Sequence, residues 1–362
     1  MRYFRIPILI ATLAFLVLSA GSTSANSTIG AQTTPAPTMS GTATDPLGGA
    51  TTFAKLDKPT TTDLILDYTP NTNHLGIYVA QALGYYKDAN LTVNIQQNDG
   101  SVQAEQVVAT GKADFGISYS EETTASRAQN VPIVSIAAII QHNTSGFAAR
   151  HDKHPIKTPK DLAKLRYGSF GSDIEKPMLS ALLACDSASA ETIQFVDIGY
   201  TDPMPLMDKD RIDFVWLFYA WDGLNAKQAG IPLDFVMLKD YTKCVPDYYT
   251  PILITNESDI ANRPDVVKAF TQATARGYTY AIQHPDEASD ILVKAVPDLN
   301  ATLVKESSEW LASQYQAEAP RWGQQSNAIW QGFVNFWSKA SGKPPIDVSK
   351  AYTNDFLPGT AQ

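Results

Sequence analysis

Short strand-like segments alternate with helical segments along most of this chain, and no other feature limits its fold as strongly. The strand-like segments are apolar or alternate between apolar and polar residues, and they cover 64–66, 91–95, 114–118, 133–140, 167–170, 195–198, 214–219 and 235–238. Helix signals separate them, such as Thr158, Pro159 and Asp161, which suit the first turn of a helix. This alternation predicts an α/β fold with mainly parallel sheets, followed by a largely helical C-terminal third.

The first strand leads into a polar loop that is a candidate ligand site. The apolar segment 64–66 ends before Pro70 and Asn71, and a helix is expected from about His74. Open α/β sheets bind their ligands at the carboxyl ends of strands. We therefore expect this loop, together with the loops that follow other strands, to form a binding site.

Aromatic and polar residues are concentrated at these strand ends. The candidate ligand-binding residues are Tyr68, Asn71, Asn73, His74, Tyr119, Glu121, Phe170, Ser172, Glu175, Trp216, Tyr219, Trp221 and Tyr249. Aromatic rings stack on flat heterocycles, and carboxyl and amide groups select the donors and acceptors of the ring. The alternative is that single aromatic residues belong to the core, and that His74 is tied to neighbouring asparagine side chains rather than to a ligand.

The sequence predicts no catalytic and no metal-binding residues. It contains no Gly-x-Ser-x-Gly nucleophile motif, and the glycine-rich segment 168–172 lacks the lysine of a phosphate loop. His151 and His154 have no evident third metal ligand beside them. The two cysteines, Cys185 and Cys244, are too few for a zinc or iron–sulfur motif. In an exported protein they can form a disulfide or remain two unpaired small residues.

The N-terminal segment has the pattern of an export signal. Arg2 and Arg5 precede an apolar run at 6–18, which small residues follow. We predict a signal peptide at 1–25 and an exported, extracytoplasmic protein, in the periplasm or on the outer face of the cell membrane. An uncleaved N-terminal anchor is the alternative. Residues 26–60, rich in Thr, Pro and Ala, predict a flexible tether. The roughly 300 residues that remain suit two domains better than one.

Several longer motifs carry a family resemblance. They occupy 67–74, 84–86, 111–116, 140–146, 247–251, 320–323 and 353–358. Together they resemble the solute-binding proteins of ABC transporters that bind thiamine-pyrimidine precursors or riboflavin, which are related to the fungal thiamine pyrimidine synthases. The resemblance implies a two-lobe periplasmic-binding-protein fold, type II-like, with the ligand in a cleft between the lobes. Lobe one would comprise 61–147 and 252–358, and lobe two would comprise 148–251.

The resemblance also implies the partners of the chain. These are a small-molecule ligand and the membrane permease of an ABC importer, with no cofactor, and we expect a monomer. The charge balance argues against nucleic acid as a partner. The chain has 37 acidic but only 28 basic residues, and its basic residues form no stripe.

The fungal relatives raise a remote alternative, a pyridoxal-phosphate-dependent pyrimidine synthase. In that family a lysine and a histidine follow the strand that ends in a glycine equivalent to Gly116, and the matching positions here are Ser118 and Glu122. Because pyridoxal chemistry needs a lysine for its Schiff base, we expect a binding protein and not an enzyme. A structural or adhesive surface protein, which needs no aromatic cleft, is a third class.

The ligand is predicted from two departures from the family pattern. Pyrimidine-binding relatives tend to carry a tryptophan in the first strand-end motif and another in the loop that matches 168–172, where this chain has Tyr68 and Phe170. Because both rings are smaller than tryptophan, they leave room for a wider ring system. Riboflavin is therefore the preferred ligand, with formylaminopyrimidine or hydroxymethylpyrimidine as the alternative and another small organic solute as the third choice.

Overall fold

The computed structural model describes residues 53–98, 102–199 and 201–359. The described strands are β1 (Thr60–Ile65), β2 (Leu91–Gln96), β3 (Phe115–Ser118), β4 (Ile133–Ala138), β5 (Ser145–Arg150), β6 (Arg166–Ser169), β7 (Gln194–Asp197), β8 (Phe214–Phe218), β9 (Leu233–Met237) and β10 (Ile252–Asn256). The described α-helices are α1 (Leu75–Ala82), α2 (Tyr85–Asp88), α3 (Ala104–Ala109), α4 (Ser120–Ala128), α5 (Glu175–Cys185), α6 (Met204–Asp208), α7 (Leu224–Gln228), α8 (Glu257–Asn262), α9 (Pro264–Gln283), α10 (Pro285–Ala295), α11 (Ala301–Ala312) and α12 (Asn327–Ser341).

The predicted N-terminal segments lie mostly outside the described residues. These are the signal peptide, 1–25, and the first part of the tether, 26–52. Residues 53–59, also predicted as tether, contact the folded part. Leu56 is buried, and its N–H donates to the carbonyl of Ala89 at 3.1 Å. Within the described residues, no helix is long and apolar enough to cross a membrane.

The strands form two five-stranded sheets. The first sheet has the order β2-β1-β3-β10-β4, and the second has the order β7-β6-β8-β5-β9. In the first, β1 pairs in parallel with β2 and β3, whereas β10 is antiparallel to β3 and β4. In the second, β6 pairs in parallel with β7 and β8, whereas β5 is antiparallel to β8 and β9. The α/β class is thus confirmed.

The expectation of mainly parallel sheets is wrong, because both described sheets are mixed. The two strands that introduce antiparallel pairing, β5 and β10, are those that follow a passage of the chain from one sheet to the other. A strand that enters a sheet through such a crossover is not held to the direction that a local strand–helix–strand unit imposes. The predicted helix after Thr158 is also only a short 3₁₀ helix (Pro159–Leu162), although the carboxylate of Asp161 does accept the backbone N–H of Thr158 at 2.9 Å.

Each sheet carries its own core. In the first, Phe270 of α9 stacks on Phe115 of β3 with 3.7 Å between ring centroids. In the second, Phe147 of β5 and Phe214 of β8 pack with the buried face of α5. Phe333 and Trp337 of α12 join this second core, although the sequence analysis assigned α12 to lobe one. The lobe boundaries therefore stay a prediction, and the second sheet itself begins at Ser145, slightly before position 148.

Two glycines allow α1 to lie close against α9. This helix contact holds the strand-end loop that precedes α1 in place. A Cβ on Gly277 would lie 1.9 Å from the carbonyl oxygen of Gly76, and one on Gly76 would lie 2.3 Å from the ring of Tyr278. Neither distance is possible for a side chain, so this helix contact requires glycine at both positions.

The two crossovers between the sheets are tied together by Asp247. Its Oδ1 accepts the backbone N–H of Asn143 at 3.0 Å, and its Oδ2 pairs with Nδ1 of His142. The Nε2 of His142 lies 2.9 Å from a carboxylate oxygen of Glu318. The hydrogen bond to Asp247 is the main cause that raises the pKa of His142 to about 9, so the imidazole is charged at neutral pH.

The cysteines, whose pairing the sequence left open, form a disulfide. Cys185 ends α5 and Cys244 lies shortly before the return crossover, and their Cα atoms are 5.8 Å apart. This separation is the usual one for a disulfide. The bond fastens the segment that leads into the second crossover to the second sheet's main helix.

Candidate functional site

A cavity of about 220 Å³ is lined by residues from both sheets. Its lining residues are Asp67, Tyr68, Asn71, Asn73, Tyr119, Glu121, Glu122, Phe170, Ser172, Ile174, Glu175, Thr201, Pro203, Trp216, Leu217, Phe218, Trp221 and Asp222. Most of them lie at or beyond the carboxyl ends of β1 and β3 in the first sheet and of β6 and β8 in the second, and Thr201 and Pro203 follow β7. Within each sheet these strand pairs are parallel, which brings their carboxyl ends to the same edge.

Most of the predicted site residues meet at this cavity. Those that line it are Tyr68, Asn71, Asn73, Tyr119, Glu121, Phe170, Ser172, Glu175, Trp216 and Trp221. Three others do not line it, namely His74, Tyr219 and Tyr249. Strand ends that are far apart in the sequence therefore do converge in space, whereas the role of each residue in ligand binding stays a prediction.

His74 lies behind the cavity wall and is completely buried. Its Nε2 is 2.6 Å from Oδ1 of Asp67, and its Nδ1 accepts the backbone N–H of Asn71 at 3.2 Å. The bond to Asn71 involves the backbone, so it differs from the expected tie to asparagine side chains. His74 thus supports a lining residue and does not itself face the cavity.

Tyr249 and Tyr219 pack elsewhere. The hydroxyl of Tyr249 accepts the N–H of Ser326 at 2.8 Å, and the tyrosine is buried. Tyr219 packs against Trp310 of α11 and Phe235 of β9, with centroid distances of 5.3 and 5.4 Å. Both rings support the structure around the site without lining the cavity.

Several residues that line the cavity are not among the predicted site residues. They are Asp67, Glu122, Ile174, Thr201, Pro203, Leu217, Phe218 and Asp222. Asp67 had a usable signal, because it is a charged residue directly after an apolar strand and next to Tyr68. Phe218 gave no such signal, since an aromatic residue in an apolar strand is equally typical of a core.

Aromatic rings form much of the cavity wall. Tyr119 and Phe218 come from different sheets and are stacked, with centroids 6.1 Å apart and planes 22° from parallel. The indole N–H of Trp216 donates to Oγ of Ser145 at 2.7 Å, which fixes that ring. A π-helix (Tyr219–Gly223) after β8 brings Trp221 to the cavity. A flat ligand ring can stack between such walls.

Glu175 organises the loop that carries Phe170. Its carboxylate accepts the hydroxyl of Ser169 at 2.5 Å and the backbone N–H of Phe170 at 2.9 Å. From the same loop, the hydroxyl of Ser172 donates to Glu122 at 2.6 Å. Because Glu122 belongs to α4 on the first sheet, this hydrogen bond links the two sides of the cavity.

The cavity is rich in carboxyl groups, and none of the described residues that line it is lysine, arginine or histidine. Burial raises the pKa of Glu121 well above its ordinary value. Burial also raises the pKa of Glu122 and of Glu175, and it raises the pKa of Asp222 to about 6. An ionised carboxyl group of this lining only accepts hydrogen bonds, and one that is protonated can also donate a hydrogen bond, whereas anions such as phosphates are disfavoured.

The cavity does not fit a pyridoxal Schiff base. Ser118 occupies the position that the resemblance matched with the lysine, and its hydroxyl donates to the buried carboxyl of Glu105. Among the described residues, no group of three or more His, Cys, Asp or Glu side chains is arranged to hold a metal ion. Stacking on aromatic rings and hydrogen bonds to carboxyl groups are interactions that the lining residues can offer.

Comparison with known proteins assigns the family. The model of the NMT1/THI5 like family matches residues 71–288, which is more than half of the chain, and the chain belongs to this family. The formylaminopyrimidine-binding protein of Halalkalibacterium halodurans is 26% identical over 251 residues, which cover 69% of this chain and 74% of the relative. The riboflavin-binding protein RibY of Chloroflexus aurantiacus is 24% identical over 310 residues, covering 82% and 86%.

Other relatives are named as enzymes. The 4-amino-5-hydroxymethyl-2-methylpyrimidine phosphate synthase of Legionella pneumophila is 24% identical over 315 residues, covering 82% of this chain and 92% of the enzyme. The family therefore includes proteins named for binding and proteins named for synthesis.

Solved structures confirm the periplasmic-binding-protein fold. The alkanesulfonate-binding protein SsuA of Xanthomonas axonopodis pv. citri superposes with a TM-score of 0.64 at 11% identity, covering 82% of this chain and 99% of that one. The periplasmic aliphatic sulphonate-binding protein of Escherichia coli superposes with a TM-score of 0.61 at 11% identity, covering 84% and 94%. At such low identity the likeness concerns the fold alone.

Proposed function

We propose that this NMT1/THI5-like protein is the extracytoplasmic solute-binding protein of an ABC importer, and that it captures an aminopyrimidine of the thiamine-precursor kind. The observation that supports this proposal most strongly is a cavity with aromatic walls and five carboxyl-bearing residues. Residues from both sheets line this cavity. Binding would proceed by stacking of the ring and by hydrogen bonds from its amino group. Delivery to a membrane permease, export of the chain and a monomeric state belong to the same proposal.

The carboxyl groups support an aminopyrimidine more than riboflavin. An exocyclic amino group offers N–H donors to carboxyl oxygens. The ring system of riboflavin presents mostly acceptors and a single ring N–H, so its donors to these oxygens would come mainly from the hydroxyl groups of its side chain. The cavity volume of about 220 Å³ is also small. Pockets for drug-sized ligands have roughly 300–1,000 Å³.

Riboflavin remains the second candidate, because the relative RibY is named for binding it. The sequence preference for riboflavin depended on Tyr68 and Phe170, which replace larger rings. In the structure Trp216 and Trp221 line the same cavity, so it has tryptophan rings although Tyr68 and Phe170 are smaller than tryptophan. We therefore place the aminopyrimidine first.

The proposal makes the chain a binder and not an enzyme. Relatives named as binding proteins support it, although other family members are named as synthases. Incubation of the purified chain with pyridoxal phosphate and iron should give no pyrimidine product. Product formation that depends on this protein would overturn this part of the proposal.

Isothermal titration calorimetry with formylaminopyrimidine and with riboflavin tests the ligand. We expect one-to-one binding of formylaminopyrimidine, at least about tenfold tighter than riboflavin, a difference of about 1.4 kcal/mol. The matched control is Phe195→Ala, which removes an exposed ring outside the cavity and should leave affinity unchanged. Tighter binding of riboflavin would establish the second candidate, and binding of neither would refute the assignment of both ligands.

A further inference from the structure

One carboxylate in the cavity differs from the others in its surroundings. Asp67 follows β1, and its side chain is only 5% exposed. Its Oδ1 accepts from Nε2 of His74 at 2.6 Å, and its Oδ2 accepts the hydroxyl hydrogen of Tyr119 at 2.5 Å. Because each carboxylate oxygen has two lone-pair directions, both oxygens retain capacity for another donor.

The position of His74 is itself fixed by the local fold. It ends a 3₁₀ helix (Thr72–His74) that Asn71 caps, since the Asn71 side chain accepts the N–H of Asn73 at 2.8 Å. The backbone N–H of Asn71 points at Nδ1 of His74. A neutral His74 therefore carries its proton on Nε2 and donates it to Asp67.

We propose that Asp67 is a specificity-determining residue that accepts a hydrogen bond from an N–H group of the ligand, and that His74 and Tyr119 are positioning residues that hold its carboxylate towards the cavity. The inference deepens the proposed function and rests on it. The ligand group concerned is an exocyclic amino group or a protonated ring nitrogen. Hydrogen bonds to an ionised carboxylate are among the strong ones in proteins, so this single contact can decide between related rings.

Electrostatics distinguishes Asp67 from the other carboxyl groups of the cavity. Burial acts to raise the pKa of Asp67, but the interaction with His74 and the hydrogen bond of Tyr119 outweigh it, and the pKa lies below the ordinary value. His74 and Tyr119 contact Asp67, and Glu105 and Tyr278 are titratable groups that interact with it electrostatically. Asp67 thus stays ionised in mild acid, where the carboxyl groups with raised pKa values take up protons.

A pH dependence of binding follows from this arrangement. If the ligand's N–H group binds ionised Asp67, protonation of Asp67 should not affect the affinity at pH values above its lowered pKa. The affinity should fall only in stronger acid, where Asp67 takes up a proton. Loss of the His74 donor should raise the pKa of Asp67, so the acid decline should begin at a higher pH. A residue with a merely structural role would lower affinity equally at every pH.

The test measures affinity by calorimetry for two probes, formylaminopyrimidine and the same pyrimidine without its ring amino group. Asp67→Asn, which nearly keeps the shape, should weaken binding of the amino probe about 10- to 100-fold. It should change binding of the second probe much less. Tyr119→Phe should weaken the amino probe in the same direction, to a smaller extent.

The positioning role is tested by pH profiles of two His74 variants. His74→Leu should weaken binding and move the acid decline of affinity to higher pH, whereas His74→Gln, which keeps an N–H donor, should recover part of the loss. The control is His151→Gln, because His151 pairs with Asp234 at 2.9 Å on the exposed surface outside the cavity. It should leave both the affinity and the profile unchanged.

Three results would overturn the inference. An unaltered affinity of Asp67→Asn, or an equal loss for both probes, would show that Asp67 does not read the amino group. A uniform loss in His74→Leu at all pH values would refute the positioning role. If the unsubstituted chain bound neither probe, the proposed function would fail together with this inference, which distinguishes that case from the first two.

Discussion

Removal of the disulfide between Cys185 and Cys244 should lower the free energy of unfolding by about 4 kcal/mol. The two residues are separated by 59 positions in the sequence. In the chain-entropy treatment a disulfide restricts the unfolded chain, and a loop of this length gives about 4 kcal/mol at 25 °C. The loop contains β7, β8 and β9, which are three of the five strands of the second sheet. In the unfolded state the bond therefore restricts the part of the chain that forms much of this sheet on folding.

Urea unfolding followed by tryptophan fluorescence measures this effect. The variant carries Cys185→Ala and Cys244→Ala together, and unfolding is followed with and without reductant. Reductant should bring the unsubstituted protein close to the stability of the variant and should leave the variant unchanged. A difference below about 1 kcal/mol would refute the entropic reasoning, since that model predicts several kcal/mol for this loop. An equal effect of reductant on both proteins would show that it acts on something other than the disulfide.

Three more outcomes are expected. They concern the ring of Trp221, the buried carboxyl group of Glu105 and the arrangement of the two sheets. Trp221→Ala should weaken formylaminopyrimidine binding by about 1–3 kcal/mol in calorimetry, because it removes one ring of the cavity wall; an unchanged affinity would contradict the site. Burial raises the pKa of Glu105 from 4.5 to about 7, so the folded state retains a proton that the unfolded state releases, and stability should fall as the pH rises across that window. Melting temperatures at a series of pH values should show this slope, and Glu105→Gln should make it shallower, because the other buried carboxyl groups with raised pKa values also contribute to it. Ligand should lower the radius of gyration in small-angle scattering, because a ligand that contacts both sheets favours their closed arrangement; a higher melting temperature without compaction would mean that the cavity is already closed.

The strand ends that form the cavity could be predicted because their signals are local. Asn71, Tyr119 and Phe170 closely follow the short strands β1, β3 and β6, and polar or aromatic residues in that position are visible in the sequence. β5 (Ser145–Arg150) was missed because it contains glycine and alanine and starts inside a polar motif, so its apolar pattern is weak. Its antiparallel direction was also hidden, since direction in a sheet follows from how the chain crosses over.

The contacts of His74 could be predicted only in part from its neighbours in the sequence. Its position after a strand-end loop made it a candidate contact, and its place beside Asn71 suggested a local hydrogen bond, which exists through the backbone of Asn71. Only the folded chain shows that its second nitrogen faces Asp67 and that Asp67, not His74, lines the cavity.

The sequence by itself determined the α/β class, the positions of most strands and helices, and the residue types at the strand ends, because these depend on periodicity and on turn and cap chemistry within a few residues. The tertiary structure decided which strand ends meet and which polar and charged side chains contact each other there. Tyr119 reaches Asp67 across 52 positions, and Ser172 reaches Glu122 across 50. The pKa of each carboxyl group depends on burial and on neighbours within a few ångströms in space. Both quantities are set by contacts between distant parts of the chain, so they exist only once the two sheets have formed and come together.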